Sequence, residues 1–121
     1  ATLAVRPAPP PSAEVLHDGA LAAFYRRNDE AAGRPFLAPA AVFARASGST
    51  DMGNVSLALP SIHPFIGIDS LPAVNHQPEF AAHCATEAAD RALYEGALAL
   101  AWTAIDCAED TPTRERLLAR A

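Results

Sequence analysis

Gly48-Ser49-Thr50-Asp51-Met52-Gly53-Asn54-Val55-Ser56 lies near the middle of the 121-residue chain and is the stretch from which the rest is best read. Ser47 to Asn54 is polar and punctuated by glycine, a composition suited to tight turns and to side chains that bond nearby backbone. Asp51 and Asn54 can satisfy backbone amides within such a loop. Alternatively, Asp51 with Ser49 and Thr50 can face a polar group of a substrate. Spacing alone favours the structural job. Gly48 and Gly53 form neither a GxxxxGK[ST] nor a GxGxxG pattern, so the loop is no phosphate cradle.

On the amino side, residues 1–11 include Pro7, Pro9, Pro10 and Pro11. Missing backbone donors bias them to an irregular, extended lead-in. Residues 12–121 form the remaining unit. Ser12 reads as an N-cap with Glu14 in the first turn, and Val15, Leu16, Ala20, Ala23, Phe24 and Ala31 follow at helical spacing. Gly33 and then Pro35 end that helix. Phe36 to Ala46 is small and apolar, and is expected to hold a short strand bearing Val42 and Phe43.

On the carboxyl side, Val55 to Leu59 reads as a helical turn or short strand ended by Pro60. Ser61 to Ile68 alternates as a strand, which Pro64 confines to an edge. Asn75-His76-Gln77-Pro78-Glu79-Phe80 is a loop running into a helix start. Cys84 to Ala108 is the clearest helix, with Ala85, Ala88, Ala92, Gly96, Leu100 and Ala104 on one side and Glu87, Arg91 and Glu95 four apart on another. Small residues on its inner face suit close packing against a sheet or a second helix. Thr111 as N-cap and Pro112 at the first helical position start a terminal helix through Arg120.

The formal net charge is −5 and all nine basic residues are arginines scattered along the chain, which leaves no basic stripe for nucleic acid. No apolar run reaches the roughly 18 to 20 residues of a membrane span, and no basic region leads an apolar stretch at the start. A cytoplasmic protein is expected. Cys84 and Cys107, placed on one helix, would lie roughly 34 Å apart and could not bridge. Two unpaired thiols fit a reducing compartment. Neither has a partner histidine placed by the pattern, so neither is expected to be a catalytic nucleophile.

Half the residues are hydrophobic but only 7% are aromatic, and alanine supplies much of the apolar fraction, so each buried position removes little area from water. Such a thin core suits either a small, close-packed helical domain or a segment whose apolar surface is covered by a larger fold.

Between His63 and His83 lie Asp69, His76 and Glu79 as well, the ligand types that zinc prefers. Their spacing matches no compact zinc signature, and the helical HExxH pattern is absent. By spacing alone, these histidines are more often capping or surface groups. A single metal held by His63, His76 and His83 together would require the loop from Asp69 to Gln77 to fold back.

Taken in order, the string from Gly48 to Ser56, then Pro60-Ser61-Ile62-His63-Pro64, then Asn75-His76-Gln77-Pro78-Glu79-Phe80, resembles the closing section of the catalytic domain of M20-family metallopeptidases and amidohydrolases. The nearest likeness is to the branch with aminobenzoyl-glutamate hydrolase-like and dipeptidase-like members. The resemblance covers roughly residues 13 to 108. It implies an α/β segment of an α/β/α layered catalytic domain, with short strands and a long alanine-rich helix. It makes His76 the last ligand of a two-metal zinc or manganese site, sets Ser49, Thr50 and Asp51 along the substrate pocket, and adds His63 as a second pocket residue. His83 and Glu79 fall back to structural roles.

The family hydrolyses peptide or N-acyl-amino-acid amide bonds through a metal-activated water and a glutamate base. Its His-x-Asp ligand motif and adjacent glutamate pair have no counterpart in this sequence. The chain is therefore expected to need the remainder of a catalytic domain as partner, to be inactive alone, and to carry no catalytic group of its own. The complete protein would be a homo-oligomer paired through its lid domain. The alternative is a small stand-alone helical binding module, in which the alanine face of residues 84–108 docks on a partner.

Overall fold

The residues after Pro11 choose a distant partner over their own helix. Ala13 N–H donates to Asn54 Oδ1 at 2.9 Å and Leu16 N–H to Ser56 Oγ at 2.9 Å. His17 forms a single parallel β-bridge with Ser61, and Asp18 N–H donates to the Ser61 carbonyl. With its amides spent on partners some 40 positions away, this stretch does not coil. In the computed structural model, which describes residues 3, 4, 6, 11–34 and 50–119, helix α1 begins at Gly19 and runs Gly19–Ala31. Asp18, not Ser12, is its cap, accepting from the amides of Ala20 and Leu21. The expected stop holds. Gly33 takes φ +90°, a conformation that disfavours any residue with a Cβ, and its N–H closes onto the Glu30 carbonyl.

Four more helices follow among the described residues: α2 Met52–Ala58, α3 Pro78–His83, α4 Glu87–Glu109 and α5 Thr111–Leu118. The helix expected from Cys84 is split. Cys84 ends α3, and Thr86 starts α4 by accepting from Ala89 N–H. Cys84 and Cys107 therefore do not share a helix; both are free thiols. Asp110, rather than Thr111, caps α5 by accepting from Thr113 N–H at 3.0 Å.

Helix α4 packs along α1, and its inner line is Ala89, Ala92, Ala99 and Thr103. Ala85, Leu100 and Ala104, expected inside, are exposed. The 3-4 spacing of a helix places 89, 92, 96, 99 and 103 on one stripe, one step round from the expected line. Among the described residues, the buried apolar side chains are Tyr25 and the three alanines. Polar contacts supplement this core. Asn28, 8% exposed, donates to Thr103 Oγ1 and to Asp106 Oδ2, which Arg27 also pairs at 2.8 Å. Arg116 on α5 grips both oxygens of Asp18 at 2.6 and 2.9 Å. Glu95 is paired with Arg34 at 2.7 Å and not with Arg91.

From Ser61 to Ile68 the chain runs without helix, turn or bend beyond the one bridge at Ser61. Pro64 and Ile66 lie against α4, where Gly96 makes room: a Cβ on Gly96 would stand 2.8 Å from Ile66 Cδ1. The expected strand across Val42 and Phe43 lies outside the described residues.

Candidate functional site

Three parts of the glycine-rich string are structural. Gly53 is buried, and a Cβ there would run into the backbone carbonyl of Ala13. Asn54 accepts from Ala13 N–H and donates to the Pro11 carbonyl, and Ser56 accepts from Leu16 N–H while donating to the Gly53 carbonyl. The residues just before them are differently placed. Asp51 occupies the cap position of α2 but makes no side-chain cap bond, and it is exposed. Thr50 Oγ1 accepts from Met52 N–H at 3.3 Å and lies 3.4 Å from Asp51 Oδ1. Thr50 thus does the capping work, and its hydroxyl donates to one oxygen of the exposed Asp51 carboxylate. Ser49 lies outside the described residues.

His63 is half-buried in the straight segment. Its backbone N–H donates to His17 Nδ1 at 3.4 Å, and its ring tilts against Phe65 with centroids 5.5 Å apart. His63 Nδ1 is shielded from solvent and has no hydrogen-bond partner among the described residues. Such a nitrogen usually finds one, so this imidazole has unused capacity. His17 was not singled out from sequence; no spacing rule links positions 46 apart.

His76 stands in the turn ahead of α3 with φ 65°, a left-handed backbone that costs a residue with a Cβ about 1 kcal/mol. Its side chain is exposed and makes no hydrogen bond to the described residues. Asp69, at the other end of this connection, has φ 56°. Thr86 closes the far side of α3 by donating to the His83 carbonyl, which gives the His83 backbone a structural role.

Among the described residues, no three of His, Cys, Asp and Glu come close enough to hold a metal ion. That overturns the single-metal arrangement of His63, His76 and His83: the connection from Asp69 to Gln77 does not bring the three imidazoles together. A zinc ion takes about four ligands, and the described donors alone do not complete such a site. No helix among the described residues is long and apolar enough to cross a membrane.

A second feature is an open apolar groove of about 230 Å³ bordered by Tyr25, Pro64, Ile66, Leu93, Gly96 and Leu100. Arg34 spans its margin, joining Glu95 at 2.7 Å and the Gly67 carbonyl at 2.6 Å. Nearby Asp29 is 7% exposed, with Oδ1 unpartnered. Burial pushes its carboxyl above the usual range, Arg34 opposes that shift, and Glu95 and Glu30 reinforce it. Burial likewise raises the Tyr25 phenol.

The chain is similar to two curated dipeptidases. It is 38% identical over 94 residues to the Xaa-Arg dipeptidase of Mus musculus and 36% identical over 92 residues to the Xaa-Arg dipeptidase of Homo sapiens. Each match covers 76% of this chain and 21% of the relative, so the chain spans about a fifth of the length of the curated relatives it matches. No family model matches the chain, and no solved structure matches it.

Proposed function

We propose that the chain is one part of a metal-dependent M20-type amidohydrolase that cleaves peptide or N-acyl-amino-acid amide bonds. His76 is its contribution to a zinc or manganese pair, and Ser49, Thr50, Asp51 and His63 lie beside the substrate. The observation that carries this reading is the similarity to two dipeptidases across three quarters of the chain. Two features of the site support it. The exposed imidazole of His76 makes no hydrogen bond to the described residues, and Thr50, rather than Asp51, caps α2, which leaves the Asp51 carboxylate exposed.

Two bound metals would supply a nucleophilic water and polarise the scissile carbonyl. The described residues lack the donors to hold the pair, so no hydrolytic step is assigned to them. What they do is present one ligand and a polar rim, in which the exposed Asp51 accepts from N–H groups of a substrate and the half-buried His63 stands beside that substrate. Alone, the chain is inactive; within an α/β/α catalytic domain and its homo-oligomer, it completes the site.

The test is a graft in which this chain replaces the matching stretch of the mouse Xaa-Arg dipeptidase. The reading expects amide hydrolysis by the graft and its loss on His76→Ala with the fold retained. A folded graft that never hydrolyses a dipeptide contradicts the reading and favours a binding module.

A further inference from the structure

We infer that His17 is a positioning residue for substrate binding: its imidazole, while uncharged, accepts the backbone N–H of His63 and so fixes where the His63 ring stands against an amide substrate. The inference rests on the proposed function for the place of His63 beside the substrate.

His17 bridges Ser61, and Asp18 N–H donates to the Ser61 carbonyl at 2.9 Å. At Gly19 the first of these two segments coils into α1, so it cannot follow the second any further. Two residues beyond Ser61, about 6.6 Å along an extended segment, the N–H of His63 returns to the same side. A side chain meets it there: His17 Nδ1 accepts this N–H at 3.4 Å. The His63 ring itself is lightly held. It is half-buried and tilts against Phe65, which is 60% exposed and so gives it no fixed wall. The placement of the backbone at residue 63 therefore decides where the imidazole stands.

A ring nitrogen accepts a hydrogen bond only while it carries no proton. The neutral His17 ring keeps its proton on Nε2. A second proton, on Nδ1, would set N–H against N–H and release the His63 backbone. Histidine gains that proton between about pH 8 and pH 5, so the positioning is present at neutral pH and lost in acid. Asp18, next in the chain, is turned elsewhere: its carboxylate accepts from Arg116 and from the amides of Ala20 and Leu21. The titratable group across from His17 is His63 itself.

Two substitutions separate positioning from bulk. His17→Asn sets an amide oxygen near the place of Nδ1, an acceptor that gains no proton in this range, while His17→Phe keeps a ring and removes the acceptor. In the isolated 121-residue chain at about pH 7, the His63 amide should exchange about fivefold faster in His17→Phe than in the parent, and at the parent rate in His17→Asn, as one hydrogen bond of ordinary strength requires. Equal exchange in all three overturns the inference. In the mouse dipeptidase graft at about pH 7, His17→Phe should raise KM for a dipeptide about fivefold with kcat unchanged, and His17→Asn should restore it. On acidification to about pH 5.5, KM of the parent graft should rise about fivefold more than that of His17→Asn. Protonation of His63 and any loss at the metals fall on both chains alike. This acid comparison uses only the parent and His17→Asn, so it decides the matter even where His17→Phe does not fold. An active graft whose KM ignores His17, or in which kcat falls instead, overturns the inference and keeps the proposed function. A folded parent graft that hydrolyses no dipeptide overturns the proposed function, and the role of His17 in binding with it.

Discussion

Replacing Gly53 by alanine isolates what the middle of the glycine-rich string does. In an exposed helix, Gly→Ala stabilises by about 1 kcal/mol through reduced backbone entropy. At Gly53 the added methyl meets the carbonyl oxygen of Ala13, with the carbonyl carbon at 2.6 Å and Cα at 3.3 Å, and backbone cannot swing aside as a side-chain tip can. Relief requires α2 to move off residues 11–16. That move stretches the Ala13–Asn54, Leu16–Ser56 and Asn54–Pro11 hydrogen bonds. At roughly 1 kcal/mol for each bond, offset by about 1 kcal/mol of helix propensity, the net loss is about 2 kcal/mol. Urea unfolding followed by circular dichroism measures this as a lower midpoint with unchanged slope. A Gly53→Ala chain as stable as the parent would refute the close approach and, with it, the structural explanation of the string.

Gly96→Ala is the contrasting case, because its new methyl meets only the mobile tip of Ile66; stability should stay within about 1 kcal/mol of the parent by the same urea assay. Asp29→Asn removes a buried carboxylate whose pKa is raised, chiefly by burial. A raised carboxyl favours folding most when protonated, so its contribution falls as the pH rises above the ordinary value of 3.8. Thermal melts should show the variant above the parent at pH 7 and the gap closing toward pH 4; a gap that does not vary with pH contradicts the burial of Asp29. Asp18 behaves oppositely. The Arg116 guanidinium holds its carboxyl below the ordinary 3.8, so its contribution is complete above that value and is lost as the pH falls through the lower, folded one. Asp18→Asn should flatten that acid limb, whereas Asp18→Ala should also cost about 1 kcal/mol for the lost α1 cap.

Helix content was legible wherever local chemistry governed it. Gly33 marks the end of α1 because only a left-handed turn closes it there, and the apolar run up to Glu109 declares α4. The start of α1 was not legible. Ser12 and Glu14 make a plausible local cap, yet the amides of Ala13 and Leu16 find partners about 40 residues away, a choice no local pattern encodes. The face of α4 was misread for a related reason: with alanine on every side, periodicity scarcely separates the stripe through Ala89 and Ala99 from its neighbour. At the site, the string singled out residues whose roles then divide. Gly53, Asn54 and Ser56 anchor α2, whereas Asp51 is exposed and makes no cap bond. The unpartnered nitrogen of His63, its neighbour His17 and the left-handed backbone of His76 are tertiary outcomes without a signature in composition or spacing.

The most direct measurement is the metal content of the mouse dipeptidase graft, purified with and without His76→Ala and taken together with its rate of dipeptide hydrolysis. The account predicts about two ions per graft chain, with metal and hydrolysis both lost on the substitution while the fold survives. A His76→Ala graft that keeps its metal and its hydrolysis would contradict it.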